Sequence, residues 1–290
     1  MPKPMVQWLV FTALALAWGS SFMFIKIGVT YVGPFTLVTG RLFIALVAIA
    51  LFSWKERAAL PESNKRWLQI FFLGVINLAL PITLISWGEQ TIDSSLAAVL
   101  NSTVPVWTVA LAHPLLIDER LTRKKLLGIV LGFAGVVILV GLPTGSGNTG
   151  SPFAGSLAVA AASLSYALAS IYVRYFLRDV PHTQLVLVSL ISALLIMTVL
   201  MLTIEGLPNR LHPKALLAMA WLGLVGTAFA YQLFYRLIAW WGAGRATTVT
   251  YTFPVVGVLL GIVFLGEVLT VPLVVGGVLI LAGVVRASRE

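Results

Sequence analysis

Glu119-Arg120-Leu121-Thr122, followed by Gly128 and Gly135, is written a second time as Glu267-Val268-Leu269-Thr270, followed by Gly276 and Gly283. Moving upstream from both copies extends the match. At a shift of 149 residues Pro105 falls on Pro254, Ala97 on Ala246 and Leu73-Gly74 on Leu222-Gly223; at a shift of 148, Lys26 falls on Arg174 and Trp18 on Tyr166. The chain therefore reads as a duplication running nearly end to end, with units 8–141 and 153–286 joined by residues 142–152. The joint, Pro143-Thr144-Gly145-Ser146-Gly147-Asn148-Thr149-Gly150-Ser151-Pro152, is uncharged and has the composition of a flexible connection.

What each unit contains follows from its solvent. A mean hydropathy of +1.00, with 59% hydrophobic and 10% charged residues, leaves too little polar surface to clothe a water-soluble globule. Apolar segments run over 8–28, 34–54, 67–88, 92–116, 122–141, 153–176, 183–204, 215–236, 243–265 and 269–286. Each is near the 20 or so helical residues that cross a hydrocarbon core, and about twice the length of a barrel strand. The expected fold is an all-α integral membrane protein of ten transmembrane helices. Five crossings per unit is an odd number, so the two copies enter the bilayer from opposite sides as inverted-topology repeats around a central cavity.

Charge gives the expected orientation. Lys55, Arg57, Lys65 and Arg66, then Arg120, Arg123, Lys124 and Lys125, then Arg174 and Arg178, then Arg236 and Arg245, fall on one side with Lys3, Arg286 and Arg289 at the termini. Of 19 basic residues only Lys26, Arg41, Arg210 and Lys214 lie elsewhere. The basic side reads as cytoplasmic, placing both termini inside and the 142–152 linker outside. The net charge of +9 is spread over these short connections rather than over one face, so it marks topology and not a nucleic-acid surface.

Trp18-Gly19-Ser20-Ser21-Phe22, Ala97-Ala98 with Pro105, Asp118-Glu119-Arg120-Leu121-Thr122 with Gly128 and Gly135, and Phe253-Pro254-Val255 with Gly266-Glu267 resemble the drug/metabolite transporter superfamily. Within it the chain is similar to the ten-helix type with two EamA-like domains, and the resemblance covers about residues 8–286. It implies a bacterial inner-membrane carrier, often an exporter of amino acids or related metabolites, with a cavity enclosed by helices from both halves.

Polar and aromatic residues at membrane depth mark the expected cavity, since lipid-facing positions are apolar. Trp18 and Ser21, Asn77, Asn101, Tyr166 and Ser170, Thr227 and Tyr231, and Thr250 and Tyr251 qualify, with interhelical hydrogen bonding as the alternative role for the small polar ones. Trp18 and Tyr166, as repeat mates, lead the set. Arg41 is a permanent charge inside a span; it reads as a snorkelling residue or as one partner of a charged gate with Glu89 at the outer mouth, with ligand binding as the other reading. Pro81, Pro105 and Pro254 lie within spans as hinges or packing kinks. Gly128 with Gly132, and Gly257 with Gly261, mark close helix contacts within a chain or between chains.

Several chemistries are excluded as expectations. There is no cysteine, no phosphate-binding Gly-rich loop, no histidine and carboxylate constellation for a metal, and no carboxylate near the middle of a span. No metal and no cofactor are expected. The expected function is transmembrane movement, as export, of a small amphipathic metabolite, amino acids foremost, by alternating access and uncoupled or weakly coupled. Expected partners are that small molecule and the lipid bilayer, in a monomer or homodimer. A lipid-modifying intramembrane enzyme built on Arg41 and a homo-oligomeric channel are the competing classes.

Overall fold

The computed structural model describes residues 3–52, 61, 63–115, 122–141, 151–242 and 246–287, so most of the linker lies outside the described residues. Ten helices follow one another: α1 Pro4–Val29, α2 Pro34–Leu51, α3 Asn64–Gly88, α4 Ser94–Leu115, α5 Arg123–Gly141, α6 Pro152–Phe176, α7 His182–Glu205, α8 Pro213–Trp241, α9 Thr247–Leu265 and α10 Val271–Ala287. The first nine are long and apolar enough to cross a membrane; α10 is apolar and shorter, at 17 residues. No strand occurs among the described residues. The starts and stops have local causes. Pro4, Pro152 and Pro213 open helices where no backbone donor is needed, and Gly206, Gly242 and Gly266, all at positive φ, follow the last turns of α7, α8 and α9.

The helices pack in an exchangeable pattern. α5 lies along α10, α2 against α7 and α4 against α9; α1 packs on α8 and α9 while α6 packs on α3 and α4; α2 meets α8 as α7 meets α3. Replacing each helix by the one five places along maps this set onto itself. The seam of α5 and α10 explains the paired glycines: a Cβ on Gly128 would stand 2.7 Å from the Gly283 carbonyl oxygen, and one on Gly135 2.7 Å from that of Gly276. Backbones in contact leave no room for a side chain. Gly257 lies against Ala98 in the same way, so these glycines serve contacts within the chain.

Four helices are interrupted within their length and these interruptions match in pairs; α7 also closes in a π-helical turn, Met201–Glu205, for which its mate α2 has no counterpart. In α3 a π-helical turn, Val75–Ala79, follows Gly74; in α8 another, Leu224–Phe229, follows Gly223, the repeat equivalent of Gly74. In α4 the helix breaks at Ser102 and Thr103; in α9 the first stretch, Thr247–Thr252, is 3₁₀. Pro81, Pro105 and Pro254 each stand within two residues after an interruption. The prolines thus do not bend intact helices. Each lies where the ladder has already changed register, which is where a missing N–H costs least.

Candidate functional site

A π-turn inserts one extra residue and leaves backbone oxygens to be satisfied from outside the regular ladder. In α3 the Ile76 carbonyl accepts a hydrogen bond from the Ser165 hydroxyl of α6, at 2.7 Å. In α8 the Thr227 hydroxyl donates to the Leu222 carbonyl at 2.9 Å and accepts from Arg41 Nε of α2 at 3.0 Å. Arg41 Nη2 reaches the Gly226 carbonyl at 3.5 Å. Gly226 makes room for Ser21 of α1, since a Cβ there would stand 2.7 Å from Ser21 Oγ.

Arg41 is buried, at 8% exposure, and its electrostatic neighbours are Tyr166 and Tyr231. The Tyr231 hydroxyl in turn shares a hydrogen bond with the Asn77 side chain from the π-turn of α3. Ser21, Arg41, Asn77, Tyr166, Thr227 and Tyr231 therefore form one polar cluster, fed by α1, α2 and α3 of the first half and α6 and α8 of the second.

An aromatic lane adjoins it. The Trp18 ring lies 5.1 Å from Phe234 and 5.6 Å from Phe253, edge-on in the second case. Phe234 continues to Tyr235, Tyr235 stacks on Tyr231 at 6.1 Å, and His182 stacks on Tyr235 at 4.7 Å. Phe234, Tyr235, His182 and Ser165 were absent from the sequence candidates. The signal was available on α8, where Tyr231, Phe234 and Tyr235 follow i, i+3, i+4 spacing and so share one helix face.

Other candidates stand apart from these contacts. Ser170 is exposed and donates to the Tyr166 carbonyl of its own helix, and Thr250 donates to the Thr247 carbonyl. Asn101, at the break in α4, is buried with Oδ1 unpartnered. Tyr251 is partly buried against the main apolar core.

Arg41 and Glu89, expected as partners of a charged gate, are not paired in this structure. Arg41 sits two turns into α2, level with the π-turn of α8, whereas Glu89 ends α3 beside Lys26. Lys26 donates from Nζ to the carbonyls of Glu89 and Ile92, both at 2.7 Å, and so clamps the connection between α3 and α4. The Glu89 carboxyl is wholly buried and neither oxygen has a hydrogen-bond partner. Burial holds its pKa well above the ordinary carboxylate value; Lys26 opposes that and Glu267 adds to it.

Two further carboxylates cap helices of the other half. Glu267 accepts from the Ser94 N–H at 2.8 Å, the Ser94 hydroxyl at 2.7 Å, the Ser95 N–H at 2.9 Å and the Ser95 hydroxyl, at the start of α4. Glu205 accepts from the N–H groups of Phe35 and Thr36 at 3.0 and 2.8 Å and from the Thr36 hydroxyl at 2.6 Å, at the start of α2. Both meet the free N–H groups and positive end of a helix.

Comparison with known proteins gives a consistent answer. The family model described as "EamA-like transporter family" matches residues 6–141 and again 153–289. An "Uncharacterized transporter" of Archaeoglobus fulgidus is 26% identical over 99% of this chain and 100% of its own length. The "Uncharacterized inner membrane transporter YedA" of Escherichia coli K12 is 28% identical over 89% of this chain and 82% of its own. A "Probable amino-acid metabolite efflux pump" of Salmonella typhimurium is 25% identical over 93% and 90%. One crystal structure of a protein 20% identical in sequence superposes with a TM-score of 0.67 over 98% of this chain and 97% of that one, a likeness of fold alone.

Proposed function

The chain belongs to the EamA-like transporter family and is a multi-pass membrane transporter; from that premise we propose that it exports a small amphipathic metabolite, amino acids foremost, across a bacterial inner membrane. The observation that carries this reading is the polar cluster at the paired π-turns, where each half supplies side chains to one site. Such a site can be opened to either side by exchange of conformations between the halves, and the exchangeable packing pattern supports inverted repeats working by alternating access. The amino-acid class draws support from the Salmonella relative's printed name. Both termini face the cytoplasm, as the charge distribution favours, and the working unit is a monomer or homodimer.

Transport is uncoupled or weakly coupled. The cluster holds no carboxyl, and Glu89 lies at the end of α3, suited to setting how readily that end opens. An intramembrane enzyme built on Arg41 would have to work with Thr227, Tyr166 and Tyr231, its described neighbours; membership of a transporter family favours transport over that reading.

The test is flux of a mixed metabolite panel through purified protein in liposomes. The expected outcome is saturable movement of amino acids down their own gradients that persists when the pH gradient is collapsed. Absence of flux for every compound sinks the transport proposal. Accumulation driven by an imposed pH gradient and lost in Glu89→Gln replaces uncoupled transport with proton coupling through Glu89.

A further inference from the structure

We propose that Arg41 is the binding group for a carboxylate on the transported molecule, an inference that rests on the transport reading above and names the chemistry of its site. Arg41 carries a permanent charge, because a guanidinium does not shed its proton in a protein. It is buried at 8% exposure, and the acceptors it has are neutral: the Thr227 hydroxyl on Nε and the Gly226 carbonyl, at the limit of hydrogen-bonding distance, on Nη2. Nη1 has no partner among the described residues. Nor has the charge a counter-ion among the described residues.

A cation kept out of water without a paired anion destabilises the fold, and replacing such a group by an apolar one of similar volume is commonly neutral or stabilising. Serving the π-turn of α8 is a reason to keep a hydrogen-bond donor at this position, and a neutral donor would do that without a buried charge. Its surroundings give a reason from binding. The fork of a guanidinium matches the two oxygens of a carboxylate. Tyr166 and Tyr231 bring hydroxyls to the same charge, and Trp18, Phe234 and Phe253 supply an apolar wall nearby for a side chain. Asn77, held on Tyr231, ties the α3 half of the site to the arginine half. The ligand is therefore an anion of carboxylate type with an apolar or aromatic body, as a free amino acid is and its amide is not.

The experiment pairs each amino acid with its amide and with the acid lacking the amine, for example phenylalanine, phenylalaninamide and 3-phenylpropionate. Binding to the purified full chain is read by thermal shift in zwitterionic lipid and detergent, and flux is read in liposomes. Wild type is expected to be stabilised by at least one acid and its deaminated analogue, at up to about 10 mM, and to discriminate against the amide by about tenfold or more. Arg41→Met is expected to lose that stabilisation while unfolding at the same temperature as unliganded wild type or higher. Equal binding of acid and amide, or no binding of any carboxylate, overturns the inference, as does Arg41→Met that unfolds well below wild type. If Arg41→Met does not express, Arg41→Lys carries the test: its point charge should narrow the acid-to-amide preference, and an unchanged preference counts against the inference. Acid binding without flux upholds Arg41 and removes the transport reading. Repeating the thermal shift with phosphatidylglycerol added distinguishes sources of the anion: stabilisation by that lipid through Arg41, with no response to carboxylates, makes the site a lipid site and overturns the proposal.

Discussion

Asn77, inside the π-helical turn of α3, and Tyr231, two residues past the π-helical turn of α8, share a hydrogen bond across the two halves of the chain. The π-turns sit at repeat-equivalent positions, so the two halves meet where both helices have lost α-helical register. Tyr231→Phe removes one hydrogen bond and nothing of the ring, so it should cost about 1 kcal/mol of stability or less. Its effect on flux should be larger than that, and in a double-mutant cycle with Asn77→Ala the two losses should fall well short of additive. Additive losses would mean the pair does not act as a unit.

Glu89 makes the stability of the protein depend on pH in a defined direction. Its folded-state pKa is raised by burial, so the folded form keeps the proton after the unfolded chain has released it. Its contribution is fully present below the unfolded value of about 4.3 and is lost as pH rises from there through the folded value. Glu89→Gln, which mimics the neutral carboxyl, should therefore raise the unfolding temperature at pH 8 and leave it near wild type at pH 4. Destabilisation at pH 8 would show instead that Glu89 is ionised against Lys26.

The two capping acids should act on stability more than on specificity. Glu267→Ala removes four accepted hydrogen bonds and Glu205→Ala three, so each is expected to cost about 2 kcal/mol or more through uncapped helix starts. Substrate preference should not move. Thermal unfolding in one detergent, compared with acid-to-amide preference, separates the two effects. An unchanged unfolding temperature would leave the caps without energetic weight.

Sidedness is open to direct labelling, because the chain has no cysteine. Gly147→Cys should react with an impermeant maleimide from outside and Lys65→Cys from the cytoplasm. Reaction of position 147 from the cytoplasm alone would falsify the orientation and the inverted reading of the halves.

Apolar length and duplication made the ten helices legible in the sequence, and polarity at depth made most of the cluster legible as well. Thr227, Tyr231, Asn77, Tyr166 and Ser21 stand out because lipid tolerates no such residues facing it. What escaped was whatever depends on partners far along the chain. Nothing local distinguishes Lys26 as a clamp on residues 63 and 66 positions away, or Glu205 and Glu267 as caps. The π-turns carry no propensity signature of their own; Gly74 and Gly223 marked the places without disclosing the geometry. The neutral partners of Arg41 were not legible either, because depth along a helix says how far in a residue sits, and not which neighbour it faces.

The capping of α2 and α4 also bears on how the protein is made. The acids that satisfy those helix starts lie 169 to 173 residues downstream of them. At about 5 to 20 residues per second, the ribosome delivers each acid roughly 10 to 30 s after the helix start it will hold. The caps of these two early helix starts can therefore close only once Glu205 and Glu267, both in the last third of the polypeptide, have been made.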